Sequence, residues 1–148
     1  MRIVIINGPN LNLLGRREPS LYGTRSMEQV LLDIQRAHPD LYLEYRQSNH
    51  EGDLIDWIQE FAFPSLNTEP CDGIVLNAGG YTHTSVALRD AVACAMVPVI
   101  EVHISNIAER EEFRRISLLT DVCSQSIIGQ DTDGYLQAVE WLLKKKRL

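Results

Sequence analysis

Five times along this 148-residue chain a short apolar run is followed by a segment of helical spacing. The runs are Ile3–Ile6, the alternating and β-rich Leu41–Gln47, Gly73–Leu76, Val97–Val102 and Ser126–Ile128. The segments are Ser26–Ala37, Gly52–Phe61, Thr84–Ala95, one opening at Asn106, and Gly134–Lys146. Neighbouring parallel strands need a crossover between them, usually a helix, and strands covered on both faces read as continuous apolar runs. The alternation therefore predicts an α/β chain with a parallel sheet between two helical layers. Right-handed crossovers make it doubly wound. With five strands the expected fold is flavodoxin-like, a three-layer five-stranded parallel sheet in the order 2-1-3-4-5.

Local signals agree with this frame. Ser26 and Gln29 have capping-box spacing, and His38-Pro39 ends that helix. Leu54, Ile55, Ile58 and Phe61 share a helical face, as do Leu136, Val139, Leu142 and Leu143. Asn106 and Glu109 repeat the capping-box spacing, so Arg110 and Arg114 are expected at i,i+4 on one helix. The stretch Phe63–Asp72, with two prolines, is expected to be a surface connection. No repeat or linker divides the chain, so a single catalytic domain, 1–148, is expected.

Composition excludes several functions. The net charge of -6 does not suit a dedicated nucleic-acid binder, which needs a basic face. It leaves an anionic substrate open, because charge at a site can oppose the global sign. Cys71, Cys94 and Cys123 form no CxxC pair, and an odd count suits reduced thiols. No apolar run reaches membrane-spanning length. The N-terminus passes from Ile3–Ile6 straight into Asn7-Gly8-Pro9, without a signal peptide's cleavage site. A cytoplasmic protein that engages neither membrane nor nucleic acid is expected.

In such sheets ligands bind beyond the carboxyl ends of the strands, which directs attention to the loops starting at Asn7, Ser48, Asn77, His103 and Gly129. The first, Gly8–Gly23, is far longer than the roughly 2–6 residues usual for such a connection. It holds glycines near both ends, Arg16, Arg17 and Tyr22. An arginine beside Tyr22 would favour phenolate and make a usable base. The same composition also suits a loose surface loop with solvated arginines.

On the fourth strand, alternation puts Glu101 and His103 on one face. A carboxylate inside a buried strand is costly unless paired, so Glu101 is expected to orient or charge His103 as a general acid or base. A buried polar pair serving only the core would read the same way. Backbone N–H groups at Ser105 and Asn106 suit an anion. An anion between Arg110 and Arg114 would relieve their repulsion, although Arg114 paired with Glu111 and a solvated Arg110 would also serve. Gly79-Gly80 allows close backbone approach, and Asn77 and His83 can bind hydroxyls. HxH, HExxH, GxGxxG and P-loop patterns are absent, so neither metal nor nucleotide cofactor is expected. The Lys144–Arg147 run reads as a solvated helix end that complements the macrodipole.

These segments together resemble a family. Gly8-Pro9-Asn10-Leu11-Asn12 through Arg17-Glu18-Pro19 to Tyr22-Gly23 is similar to the pattern of type II 3-dehydroquinate dehydratases. So are Gln47–Gly52, Asn77–Gly80 with Thr82–Ser85, and Ile100–Asn106, in the same order over nearly the whole chain. The resemblance implies a hydro-lyase of the shikimate pathway that needs no cofactor. It would convert 3-dehydroquinate to 3-dehydroshikimate by anti elimination through an enolate. It also implies a homododecamer, a tetramer of trimers. By the same resemblance Tyr22 would take the C2 proton and Arg17 would stabilise the transition state. Asn10 would hold the water that supports the enolate, and His103, partnered by Glu101, would protonate the departing hydroxyl. Asn77 with Ile104 and Ser105 would hold the carboxylate, and His83 and Arg114 the ring hydroxyls. Asp90 would reach a neighbouring subunit's site. The alternatives are a non-catalytic binding or signalling module and a flavin mononucleotide protein. The first would need acidic residues where Asn7 and Asn77 stand, and the second a Ser/Thr-rich phosphate loop that Gly8–Leu14 lacks.

Overall fold

The computed structural model of the chain describes residues 1–63 and 70–146. The elements run β1 (Arg2–Asn7), α1 (Pro19–Tyr22), α2 (Met27–Ala37), β2 (Tyr42–Gln47), α3 (Glu51–Ala62), β3 (Gly73–Asn77), α4 (Val86–Cys94), β4 (Val99–His103), β5 (Gln125–Ile128) and α5 (Asp133–Lys146). The strands form one parallel sheet in the order β2-β1-β3-β4-β5, as the alternation predicts.

Alternation along each strand divides the core in two. Ile3, Ile5, Val75, Ile100 and Val102 face α2 and α5, against Val30, Ile34, Ala138, Val139 and Leu142. Val4, Ile6, Ile74, Leu76 and Val99 face α3 and α4, against Leu54, Ile58, Phe61, Leu88 and Val92. Burial of each such aliphatic side chain contributes about 1.5–3 kcal/mol, which makes the sheet a rigid platform for its loops.

The local signals hold at α2, where Ser26 and Gln29 cap each other reciprocally. They fail after β4. Asn106 accepts from the Ala108 N–H at 3.2 Å, but the chain makes only two 3-10 turns, Ile107–Glu109 and Glu112–Arg114. Arg110 and Glu111 are extended between them, so the expected helix with Arg110 and Arg114 at i,i+4 does not form. The cause is tertiary, because the Arg110 guanidinium is drawn onto Ser105 and Tyr22. Before α4, Gly79–His83 makes another 3-10 turn, and the helix expected from Thr84 starts at Val86 with Ser85 as its cap. The expected surface connection Phe63–Asp72 lies largely outside the described residues. Among the described residues no helix is long and apolar enough to cross a membrane.

Candidate active site

At the carboxyl ends of β1, β3 and β4 lies a cavity of about 220 Å³. Its walls include Asn10, Arg17, Tyr22, Asn77, His83, His103, Ile104, Ser105, Arg110 and Arg114. All ten were singled out from sequence and meet at one place. Glu101 stands behind His103, and Asp90 lies on the exposed side of α4, outside the cavity.

The floor is built from buried amides. Asn7 and Asn77 end neighbouring strands, and both are buried with their polar groups. Tyr135, from α5, donates to Asn7 Oδ1 at 2.9 Å and accepts from Asn77 Nδ2 at 2.9 Å. Asn77 Oδ1 accepts from the Gly79 N–H at 3.2 Å, which fixes the amide's orientation. Burial raises the Tyr135 hydroxyl's pKa, so it remains a neutral donor. Close approach of the loops requires Gly8: a Cβ there would sit 2.4 Å from the Ala78 carbonyl oxygen.

The long loop has one anchored end. Asn10 takes a left-handed conformation, φ 69°, and its N–H donates to Asn49 Oδ1 at 3.0 Å. Gln47 donates to the Gly8 carbonyl at 3.2 Å, and the Tyr81 hydroxyl to the Asn49 carbonyl at 2.9 Å. Beyond this clamp, Gly15 (φ 87°) and Gly23 (φ 75°) bracket a segment that carries Arg17 and Tyr22.

Two arginines address Tyr22. Arg17 lies over the ring face at 5.2 Å from its centroid and pairs with Glu18 at 3.4 Å. Arg110 donates to the Tyr22 hydroxyl at 3.2 Å and to Ser105 Oγ at 3.1 Å. The cation that touches the phenol oxygen is therefore Arg110, a residue for which the sequence offered only solvation or a shared anion. Its side chain is only 15% exposed. Arg114 does pair with Glu111, at 3.2 Å.

The histidines are each held by one nitrogen. His83 Nδ1 donates to the Ile116 carbonyl at 2.8 Å. His103 Nε2 donates to Glu101 Oε1 at 2.6 Å, which leaves Nδ1 for chemistry. Glu101 is 1% exposed and collects donors on both oxygens. Ser117 reaches Oε1, with the Thr82 hydroxyl 3.1 Å from the same oxygen; Thr120 (2.8 Å) and Ser126 (2.6 Å) reach Oε2. Burial pushes the carboxyl up, but the His103 hydrogen bond and charge and these hydroxyls outweigh it and hold it at about 2. Sequence reasoning missed the hydroxyls. Ser126 could be reached from strand register, since it lies directly opposite Glu101 on β5. Ser117 and Thr120 sit in irregular chain, where no periodicity points to them. Among the described residues no group of three or more His, Cys, Asp or Glu side chains is placed to hold a metal ion.

Comparison with known proteins agrees with this geometry. The family model described as dehydroquinase class II matches residues 1–143. A 3-dehydroquinate dehydratase of Halothermothrix orenii is 49% identical over 141 residues, covering 94% of this chain and 91% of its own. One from an Exiguobacterium species is 48% identical over 148 residues, covering 99% and 97%. The crystal structure of type II dehydroquinase from Butyrivibrio crossotus superposes with a TM-score of 0.88 at 47% identity, covering 97% of each chain. That from Propionibacterium acnes gives 0.86 at 36% identity, covering 97% and 96%. The chain belongs to the class II dehydroquinase family.

Proposed function

We propose that this chain dehydrates 3-dehydroquinate to 3-dehydroshikimate by anti elimination through an enolate. The observation that carries the reading is the convergence of Tyr22, from the end of α1, and His103, from the end of β4, on one cavity whose histidine is backed by a buried carboxylate. Removing a proton α to a ketone needs a base and support for the developing enolate charge. Losing hydroxide needs a general acid. In the proposed mechanism Tyr22 takes the C2 proton while Arg17 and Arg110 stabilise negative charge on and around its oxygen. Asn10 holds the water that supports the enolate. His103 delivers a proton from Nδ1 to the departing hydroxyl, and Glu101 keeps the ring in place. Asn77 with the Ile104–Ser105 backbone receives the carboxylate, and His83 and Arg114 receive ring hydroxyls. No metal or organic cofactor enters the scheme. The non-catalytic binding alternative gives no role to the Glu101–His103 pair or to the arginines on Tyr22.

Location and assembly belong to the same proposal. The enzyme acts in the cytoplasm within the shikimate pathway, as a homododecamer of four trimers. Asp90, exposed and outside its own cavity, completes the site of a neighbouring copy. Light scattering of the purified protein tests the assembly. The activity is tested by following the conjugated enone product in the ultraviolet after adding 3-dehydroquinate. Borohydride added with substrate should leave the enzyme active, because the scheme forms no imine. Absence of product, or inactivation by borohydride, overturns the reading.

A further inference from the structure

The hydroxyls around Glu101 form a chain rather than a set of equals. Thr82 Oγ1, Ser117 Oγ and Glu101 Oε1 are in mutual contact: Thr82 to Ser117 at 2.6 Å, Thr82 to Glu101 at 3.1 Å, and Ser117 to Glu101 closer still. Two hydroxyls bring two protons to these three contacts. The two shorter contacts take them, so Thr82 donates to Ser117 and Ser117 donates to Glu101. Ser117 Oγ also accepts from the Leu119 N–H at 3.1 Å, which fixes where its proton points. The Leu118 N–H donates to the Thr82 carbonyl at 2.8 Å and so ties the two segments together. Immediately before Ser117, the Ile116 carbonyl holds His83. One irregular segment thus constrains both histidines of the cavity.

We propose that Ser117 is a positioning residue for the dehydration, acting through Glu101 to hold His103 in line with the departing hydroxyl. The inference rests on the reading of His103 as the general acid. The Ser117 side chain does not line the cavity, so its effect falls on the chemical step and not on substrate binding. Hydrogen bonds to a charged acceptor within such a network reinforce one another, and loss of one shifts the others.

The test is a double-mutant cycle on the full-length enzyme with 3-dehydroquinate. Ser117→Ala should lower kcat about tenfold, the size of one hydrogen bond to a charged group, and leave KM within about twofold. Ser117→Thr, which keeps the hydroxyl, should recover most of the loss. In the Glu101→Gln background Ser117→Ala should cost almost nothing more. Thermal melting checks that each variant folds, and Ser117→Cys, a weaker donor of similar size, replaces Ser117→Ala if the latter does not. An unchanged kcat in Ser117→Ala, or a loss that adds in full to that of Glu101→Gln, overturns the proposal alone. A Glu101→Gln enzyme with normal kcat overturns the underlying acid assignment and the proposal with it.

Discussion

The Arg110 guanidinium donates to the Tyr22 hydroxyl at 3.2 Å across 88 residues of sequence. Arg17 is five residues away from Tyr22 but meets only its ring face, at 5.2 Å from the centroid. A hydrogen bond to a charged group is worth about 1.5–3 kcal/mol, or roughly 10–150-fold in rate. If phenolate is the base, Arg110→Met should lower kcat by a factor in that range. Arg110→Lys should restore part of it, since lysine keeps the charge but not the planar Nη1 group that donates to both Tyr22 and Ser105. Steady-state kinetics decides: an unchanged kcat in Arg110→Met removes Arg110 from the chemistry.

Tyr22→Phe keeps the ring under Arg17 and deletes the hydroxyl. General-base catalysis commonly contributes about 10²–10⁴-fold, so kcat should fall by at least that order. Calorimetric binding of 3-dehydroshikimate should change little, because Asn77, His83, Ser105 and Arg114 remain on the cavity wall. Near-normal turnover in this variant would exclude Tyr22 as the base.

The contrast between the arginines shows where sequence reasoning stops. The sheet order was legible because five apolar runs alternate with helical spacing, and packing on both faces follows from that. The Glu101–His103 pair was legible because strand geometry alone puts alternate residues on one side. Arg110 was not, since its spacing to Arg114 fits a helix that its own contacts to Tyr22 and Ser105 prevent. Ser117 and Thr120 were not, because hydroxyls in irregular chain carry no period, and their meaning lies in a carboxylate 16 and 19 residues away.

Glu101 makes stability depend on acid in a defined window. Its folded pKa of about 2 lies below the ordinary 4.5. A depressed carboxyl stabilises the fold above the unfolded pKa and loses that contribution as pH falls through the folded one. The contribution is on the order of 3 kcal/mol and fades between about pH 4.5 and 2. Glu101→Gln has no such titration. The stability gap between the two proteins, read from urea unfolding, should narrow as pH falls through this window. A gap constant with pH would mean that Glu101 is not the depressed carboxylate.

The cysteines should separate by reactivity. Burial pushes the Cys71 thiol up to about 11, and burial with the Glu101 charge pushes Cys123 up to about 12. Thiolate is the reactive form, so neither should react with iodoacetamide at pH 8 while the protein is folded. Cys94 is exposed on α4. Peptide mass spectrometry after brief labelling should find Cys71 and Cys123 unmodified, and both alkylated once the chain is unfolded in urea. Labelling of Cys123 in the native protein would contradict its partly buried place in the bend before β5.

The loop that carries Tyr22 should close over its ligand. Asn10 is clamped by Asn49, while Gly15 and Gly23 hold left-handed backbone on either side of the segment between them. A Cβ at Gly15 would lie 2.9 Å from the Thr24 carbonyl oxygen, so the turn depends on glycine, whereas one at Gly23 meets nothing within 4 Å. Gly23→Ala therefore tests backbone freedom without a steric clash, since only the positive φ opposes it. Trypsin can cut after Arg16, which is exposed, and after Arg17. When opening is fast, cleavage reports the population of the open form. Saturating 3-dehydroshikimate should slow cleavage at both arginines while leaving other sites unaffected. Gly23→Ala should alter the cleavage rate without ligand and lower kcat together with it. Equal cleavage with and without ligand would leave Arg17 and Tyr22 on a fixed wall, and the long loop would then be a rigid part of the site instead of its lid.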